Sequence, residues 1–297
     1  MATRLTWNIG SDISRLFSYH FMVNAYEAGT VVAILAGSIG WFMVLRRQSF
    51  AGHTLAVVSF PGAAGAILIG VSPSIGYFSA SIAAALVIAA VRRTPSGQAS
   101  SQESAVIGTV QAFALACGAL FVTLYGGFLN SVTGLLFGTF LGVSDRQVLI
   151  LLAVTVGALA VLAAIARPLF FATVDAEVAR ARGVPIRSVS LLFLLLLGCA
   201  AAEVSQVTGA LLVFALLVMP AATAQQLTAR PVLSFTVTIA LALMIVWSGL
   251  AAAYFSVYPV GFYITSIGFG IYALAAMIRL IRARSAFMDR AAELAVL

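Results

Sequence analysis

The chain has 297 residues, of which 62% are hydrophobic and only 8% are charged, with a mean hydropathy of +1.11. Soluble domains carry about 25% charged residues, so a water-soluble fold of this length could not bury so much apolar surface. The net charge of +7 comes from 16 arginines with no lysine. A basic balance also occurs in nucleic-acid-binding proteins, but here the arginines stand at the ends of apolar runs. That placement is typical of topology signals at a membrane surface and predicts no nucleic-acid partner.

The apolar runs are long enough to cross the hydrocarbon core of a bilayer, which requires roughly 20 residues as a helix. Only helices fit, because lipid cannot satisfy exposed backbone groups and the alternating pattern of barrel strands is absent. We therefore predict an all-α, polytopic fold that forms one transmembrane domain over residues 1–297. The nine predicted spans are 21–45, 54–72, 74–91, 105–125, 147–166, 188–204, 208–226, 232–254 and 260–281.

Two segments outside the spans have a membrane-surface character. Residues 9–20 place several apolar side chains on one helical face, which predicts that the N-terminal segment 1–20 is interfacial. Residues 131–142, between the fourth and fifth spans, are too few for a further crossing and return. They are interpreted as a short re-entrant helix that dips in from the outer face.

The arginines also predict the orientation. If the N-terminus lies outside and nine spans follow, 13 of the 16 arginines lie on the inner side and 3 on the outer side. Because cytoplasmic loops are enriched in basic residues, we predict N-out and C-in topology. An even number of spans would instead place the arginine-rich C-terminus outside.

The longest polar interruption, residues 167–187, faces the cytoplasm in this topology. Asp175 and Glu177 stand where the first turn of a short helix would be, and Arg180 and Arg182 stand in its last turn, which complements the helix dipole. Gly183 is placed to end the helix. We predict a short amphiphilic helix that lies across the inner membrane face.

Three ionisable residues fall at membrane depth or near it: Glu27, His53 and Glu203. Burial of such groups in lipid is costly, so each is a candidate metal-contacting residue. The structural alternatives are a hydrogen bond at headgroup level or between helices for Glu27, and a backbone hydrogen bond for His53. For Glu203 the alternative is a solvated acid in a helix break near the outer face.

No motif for hydrolytic chemistry is present in the sequence: it has no Walker A loop, no GxSxG and no HExxH. The chain is therefore not expected to be an enzyme. A membrane-embedded enzyme remains the rival class, which would need paired intramembrane acids or a histidine-rich zinc cluster.

Four segments in chain order carry a family resemblance. They are "FMVNAYEAGTVVAILAGSIGWFMVLRRQSFAGHTLAVVSFPGAAGAILIG" (21–70), "SVTGLLFGTFLGVS" (131–144), "FATVDAEVARARGVP" (171–185) and "QVTGALLVFALLVMPAATA" (206–224). In these segments the chain resembles the permease subunits of zinc, manganese and iron ABC importers. The resemblance departs where the family's Asp-Pro-Glu reads Asp175-Ala176-Glu177, and where a second histidine of the second span is replaced by Val57.

The resemblance implies a fold like that of the vitamin B12 and siderophore importers, and a place in the bacterial cytoplasmic membrane. It also implies a homodimer, a separate ATPase subunit below, an extracytoplasmic metal-binding protein above, and no permanently bound cofactor. A contact with this binding protein is a further alternative for Glu203. Segment 167–187 would then be the coupling segment. Its ATPase-docking residues would be Asp175, Glu177, Ala179, Arg180, Arg182 and Gly183, with Ala179 and Gly183 against the ATPase.

The resemblance also aligns His53 with an Asp/His position on the family's ion path. Gly52 and Ala56 would let the partner copy approach closely there. Imidazole favours zinc over hard cations, so the expected cargo is a divalent metal ion with zinc favoured. Manganese and ferrous iron are the alternatives.

Overall fold

The computed structural model describes residues 14–91, 101–125, 134–138, 140–210 and 212–295. Within these ranges the chain is helical, and no strand occurs. The helices are α1 (His20–Leu45), α2 (Ser49–Leu68), α3 (Pro73–Val91), α4 (Ser101–Leu124), α5 (Asp145–Val174), α6 (Ala176–Ala181), α7 (Ile186–Thr208), α8 (Val213–Leu227), α9 (Pro231–Tyr254) and α10 (Val260–Ala295), with a 3-10 turn at Phe140–Gly142.

Eight of the described helices are long and apolar enough to cross a membrane, and α8 is a shorter apolar helix of 15 residues. At 1.5 Å per residue α8 is about 22 Å long, which is less than the ~30 Å hydrocarbon core. The predicted all-helical, polytopic fold is confirmed. The seventh predicted span, 208–226, is a shorter helix than expected.

The chain breaks between α7 and α8 because Gly209 has a φ of +80°, in the left-handed region that favours glycine. A side chain at Gly209 would also overlap the backbone around Gly138, whose own φ is +81°. The Ala210 N–H donates to the Leu135 carbonyl at 3.3 Å. Part of the predicted re-entrant segment therefore packs directly against the α7–α8 break.

Two of the predicted segments fall partly outside the described residues. Residues 1–13 of the interfacial segment and residues 131–133 and 139 of the re-entrant segment are among them. The predictions for these positions stay predictions.

The bundle has an inner group of helices and a periphery. In α1, α2 and α7 the most apolar stretch is 72%, 72% and 67% buried within the chain, whereas in α4 and α10 it is 11% and 17% buried. Helix α1 packs against α5, α7, α8 and α9, and α2 packs against α3, α4 and α7. Helices α4 and α10 therefore present most of their apolar surface outward.

The two ends of the bundle are distinguished by their polar contacts. At one end, which we call the α6 end, the close of α1 meets the close of α5 and the start of α7 through Arg46. At the opposite end His20 Nε2 lies 2.9 Å from Asp145 Oδ1, and the buried Asn24 also donates to Asp145. The α6 end is the one that the arginine count predicts to be cytoplasmic.

Candidate functional site

Helix α6 is a short, well-capped helix at the α6 end. The Asp175 carboxylate Oδ1 accepts hydrogen bonds from the backbone N–H groups of Glu177 and Val178 at 3.0 and 2.9 Å. These bonds satisfy two of the N–H groups that a helix start leaves free. At the other end Gly183, with a φ of +80°, donates to the Arg180 carbonyl at 3.0 Å and ends the helix. A short helix is therefore present within residues 167–187, as predicted.

The two faces of α6 differ. Ala179 is fully buried and packs with Ala172 and Ile186 of its own chain. The expectation that Ala179 faces the ATPase is therefore wrong, because this methyl group fills the contact between α6 and its own bundle. The exposed residues of α6 are Glu177, Val178, Arg180 and Ala181. Asp175 is exposed at the start of the helix, and Arg182 and Gly183 are exposed just after its end.

His53 lies one helical turn into α2 and is half-buried. Its ring meets Phe214 of α8 edge-to-face, with 5.1 Å between the ring centroids. Its Nδ1 atom is buried and has no hydrogen-bond partner among the described residues. A buried imidazole nitrogen without a partner is a site where a ligand could bind.

The surroundings of His53 differ from what was expected. A side chain at Gly52 would overlap Met43 Sδ, and Ala56 is fully buried. The expectation that Gly52 and Ala56 admit a partner helix is wrong, because both positions already pack against helices of the same chain. The Cβ-free surface of Gly52 serves the contact with α1.

Glu203 is fully buried inside α7 and does not lie in a helix break, so its interpretation as a solvated acid is wrong. Its Oε1 accepts a hydrogen bond from Thr155 Oγ1 of α5 at 2.6 Å. Its Oε2 is buried and has no hydrogen-bond partner in the described part of the chain. Two residues nearer the break, Ser205 Oγ lies 2.8 Å from Ser59 Oγ of α2. Polar side chains near the end of α7 thus bond to both α5 and α2.

The three predicted metal-contacting residues do not form one site within a single chain. Glu27 is exposed on α1, at a distance along the bundle from the turn that begins α2. The residues that the structure describes contain no group of three His, Cys, Asp or Glu side chains that could hold a metal ion. A metal ion near His53 would therefore not be held by such a group of described side chains, and backbone, water or a second chain could supply further ligands.

A cavity of about 1150 Å³ opens near the opposite end of the bundle. It lies between the α2–α3 turn, the start of α5 and the end of α7, and Gln206 reaches it. The Gln206 Nε2 atom is buried without a hydrogen-bond partner among the described residues. The lining of the cavity includes Ser72, Ser144, Arg146 and Gln147 but none of the three predicted metal-contacting residues.

The sequence interpretation overlooked Arg46. The sequence marks Arg46 and Arg47 alike as topology signals at the end of a span. In the structure, however, Arg46 is 4% exposed and bonds to two other helices, whereas Arg47 is exposed. The one available signal was position: Arg46 directly follows the apolar run that ends at Leu45.

A bundle of apolar helices long enough to span a membrane, with a short capped helix at one end, defines a polytopic membrane protein. Residues 18–279 match the ABC 3 transport family, and the chain belongs to this family. The resemblance inferred from the four sequence segments is thereby confirmed.

Individual relatives agree with the family. The manganese transport system membrane protein MntC of Halalkalibacterium halodurans is 32% identical over 251 residues, which are 84% of this chain and 83% of that protein. The chelated iron transport system membrane protein YfeC of Yersinia pestis is 32% identical over 215 residues, or 72% and 71% of the two chains. The structure of PsaBC from Streptococcus pneumoniae in complex with Fab superposes with a TM-score of 0.79 at 25% identity, covering 90% of this chain and 95% of that one.

Proposed function

We propose that this chain is the channel-forming permease subunit of an ABC importer that moves a divalent transition-metal ion into the bacterial cytoplasm. Family membership supports the transport role. The observation that carries the proposal is helix α6, a helix capped at both ends, anchored inward by Ala179 and presenting charged residues outward. Such an element can receive force from a separate ATPase without deforming.

The proposed ATPase-docking surface is the outer face of α6. Val178 of α6 and Val174 at the end of α5 are 43% and 67% exposed, and Glu177, Arg180 and Arg182 are exposed nearby in the chain. A small apolar centre with a charged rim is typical of a protein interface. Asp175 and Gly183 contribute by fixing the two ends of the helix, and Ala179 contributes from beneath.

The proposed cargo is a divalent first-row metal. The names of the matched relatives refer to manganese and iron, which makes these two ions the first candidates here. Zinc, the ion that the sequence prediction favours because of His53, is the second candidate. It is supported by the Nδ1 atom of His53, which has no partner among the described residues, and by the preference of zinc for imidazole. Zinc stays a prediction that the names of the relatives do not support.

We further propose that two copies of the chain pair, and that the ion path lies between them. Helices α4 and α10 leave large apolar side chains uncovered, including Phe113 at 73% and Phe269 at 60% exposure, which lipid or a second copy would cover. The incomplete ligand set around His53 favours a second copy, since pairing supplies a second imidazole. An extracytoplasmic binding protein would deliver the ion at the opposite end, near the cavity.

Uptake measurements in a host that lacks its own importers test this function. The chain is expressed with its ATPase and binding protein, and accumulation of radiolabelled manganese, iron and zinc is compared with a strain that carries an ATPase defective in hydrolysis. We expect uptake of at least one of these ions that depends on ATP hydrolysis. Equal accumulation in both strains for all three ions would refute the proposal.

A further inference from the structure

Arg46, at the C-terminus of α1, is a buried charged residue with a defined set of partners. It is 4% exposed. Its Nη1 donates to Thr173 Oγ1 at 3.0 Å and its Nη2 donates to Ser190 Oγ at 2.9 Å. The guanidinium carbon lies 5.5 Å from the centre of the Phe193 ring. A buried charge is retained only where such partners compensate for lost hydration.

The two hydroxyl partners stand on either side of α6. Thr173 precedes the cap residue Asp175 by two positions, near the close of α5, and Ser190 lies in the first turns of α7. The end of α5 and the start of α7, which flank α6, are therefore both hydrogen-bonded to the Arg46 guanidinium. The planar fork of arginine suits this task, because it holds two acceptors in fixed directions.

The same residue begins the turn that leads into α2. The Arg46 N–H donates to the Phe42 carbonyl at 2.9 Å, and Arg47 has a φ of +56°. Gln48 is 1% exposed and its N–H donates to the Met43 carbonyl at 2.9 Å. This short, hydrogen-bonded turn passes directly into α2, and His53 lies one helical turn further along.

We infer that Arg46 is a positioning residue that couples the ATPase-docking helix to α2 by holding Thr173 and Ser190 against the α1–α2 turn. Movement of α6 reaches His53 through the two hydroxyl bonds, the guanidinium and the turn. The inference rests on the proposed function, since it takes α6 as the element that an ATPase moves. It adds a residue that touches neither the cargo nor the ATPase.

Arg47 provides a matched control. It is the next residue and carries the same charge, but it is exposed. Arg46→Gln and Arg47→Asn each remove one positive charge from the same turn, and asparagine tolerates the left-handed backbone at position 47. An effect confined to Arg46 therefore separates its contacts from its charge.

The experiment uses the permease–ATPase complex in lipid nanodiscs, with Cys117 and Cys199 replaced by alanine and a reporter cysteine at His53. The rate at which a water-soluble maleimide labels position 53 is measured with and without ATP, and ATP hydrolysis is measured in parallel. We expect Arg46→Gln to hydrolyse ATP at the rate of the parent complex. The change in labelling rate that ATP causes should be at least about fivefold smaller than in the parent complex. Arg47→Asn should keep this change.

A second variant covers the case in which Arg46→Gln fails to assemble. The pair Thr173→Val and Ser190→Ala keeps the arginine and removes the two hydroxyl acceptors described above, and we expect the same loss of the labelling change. If either assembled variant keeps the full ATP-dependent change in labelling, the inference is overturned. It is also overturned if ATP does not alter labelling in the parent complex.

The readout is independent of the cargo. Labelling at position 53 is measured without added transition metal, so the result for Arg46 does not depend on which ion is transported. The cargo is tested separately, in the uptake measurements on the chain that keeps His53. If the parent chain does not co-purify with the ATPase, the proposed function fails first and the inference fails with it.

Discussion

Thr155 and Glu203 join α5 to α7 through one buried hydrogen bond, with 2.6 Å between Thr155 Oγ1 and Glu203 Oε1. Both residues are buried, and the second carboxyl oxygen has no partner in the described part of the chain. This geometry favours a structural role for Glu203, since its one bond ties two helices of the same chain.

Replacement of Thr155 should reveal this role. Thr155→Val removes the donor and leaves the buried carboxyl group without a hydrogen bond, which costs about 1–3 kcal/mol. We expect a lower Tm for the purified permease in detergent, whereas Thr155→Ser, which keeps the hydroxyl group, should stay near the parent value. Glu203→Gln retains an acceptor and should retain metal uptake. Loss of uptake in Glu203→Gln with a normal Tm would instead support the metal-contacting role first predicted for this residue.

His53 should be required for transport but not for assembly. His53→Ala removes the imidazole, and we expect uptake to fall at least tenfold, the order seen when groups around a metal are removed. The amount of permease in the membrane and its co-purification with the ATPase should not change. His53→Asp should keep partial uptake with relatively more manganese, because carboxylates suit manganese. Parental uptake in His53→Ala would exclude the proposed path.

The two faces of α6 should respond differently to substitution. Val178→Glu changes an exposed side chain, so the permease should keep its Tm but lose co-purification with the ATPase. Ala179→Leu adds volume where no space exists, and overpacking of this kind costs about 1–3 kcal/mol. We expect a lowered Tm in Ala179→Leu. The reverse pattern would mean that α6 docks through its inner face.

Substitutions at Gly183 can distinguish the effect of backbone strain from the effect of side-chain size. No atom lies within 4 Å of a Cβ placed there, but its φ of +80° disfavours other residues. Gly183→Ala should cost about 1–2 kcal/mol in left-handed strain, and Gly183→Asn should cost less. Gly183→Trp should reduce transport further than Gly183→Ala if the ATPase approaches this point. Equal transport by the two variants would show that bulk at this position has no effect.

The predicted orientation can be read from a fusion. A reporter enzyme that is active only outside the cytoplasm, fused after residue 297, should be inactive, because 13 of 16 arginines place the C-terminus inside. A fusion after Ser72, in the α2–α3 turn, should be active. Activity at the C-terminus would require an even number of crossings.

Some of this architecture is predictable from the sequence because the bilayer imposes it. The length of the apolar runs and the arginines at their ends identify the eight long spans. Acidic residues followed by basic residues, in the order that the helix dipole favours, identify α6. The direction of Ala179 was not predictable, because the inward face of a six-residue helix depends on how the two flanking helices fold back on it, here through Ala172 and Ile186. Gly52 was misread for the same reason, as its neighbour Met43 comes from another helix.

Arg46 and Arg47 illustrate the limit most directly. The two arginines are adjacent and chemically identical. In the structure Arg47 has a left-handed backbone and is exposed, whereas Arg46 is buried. The break at Gly209 was equally hidden, since its positive φ and its close approach to Gly138 arise only when both segments are folded together.

The short helix α8 has a consequence for how this protein fits its membrane. A helix of about 22 Å next to lipid would force the bilayer to thin, which is a form of hydrophobic mismatch. From Val213 to Gln226 no α8 residue is exposed, so the neighbouring helices screen α8 from lipid and the mismatch is absorbed inside the protein. Bilayer thickness should therefore act on the exposed helices α4 and α10 and leave the α7–α8 break undisturbed.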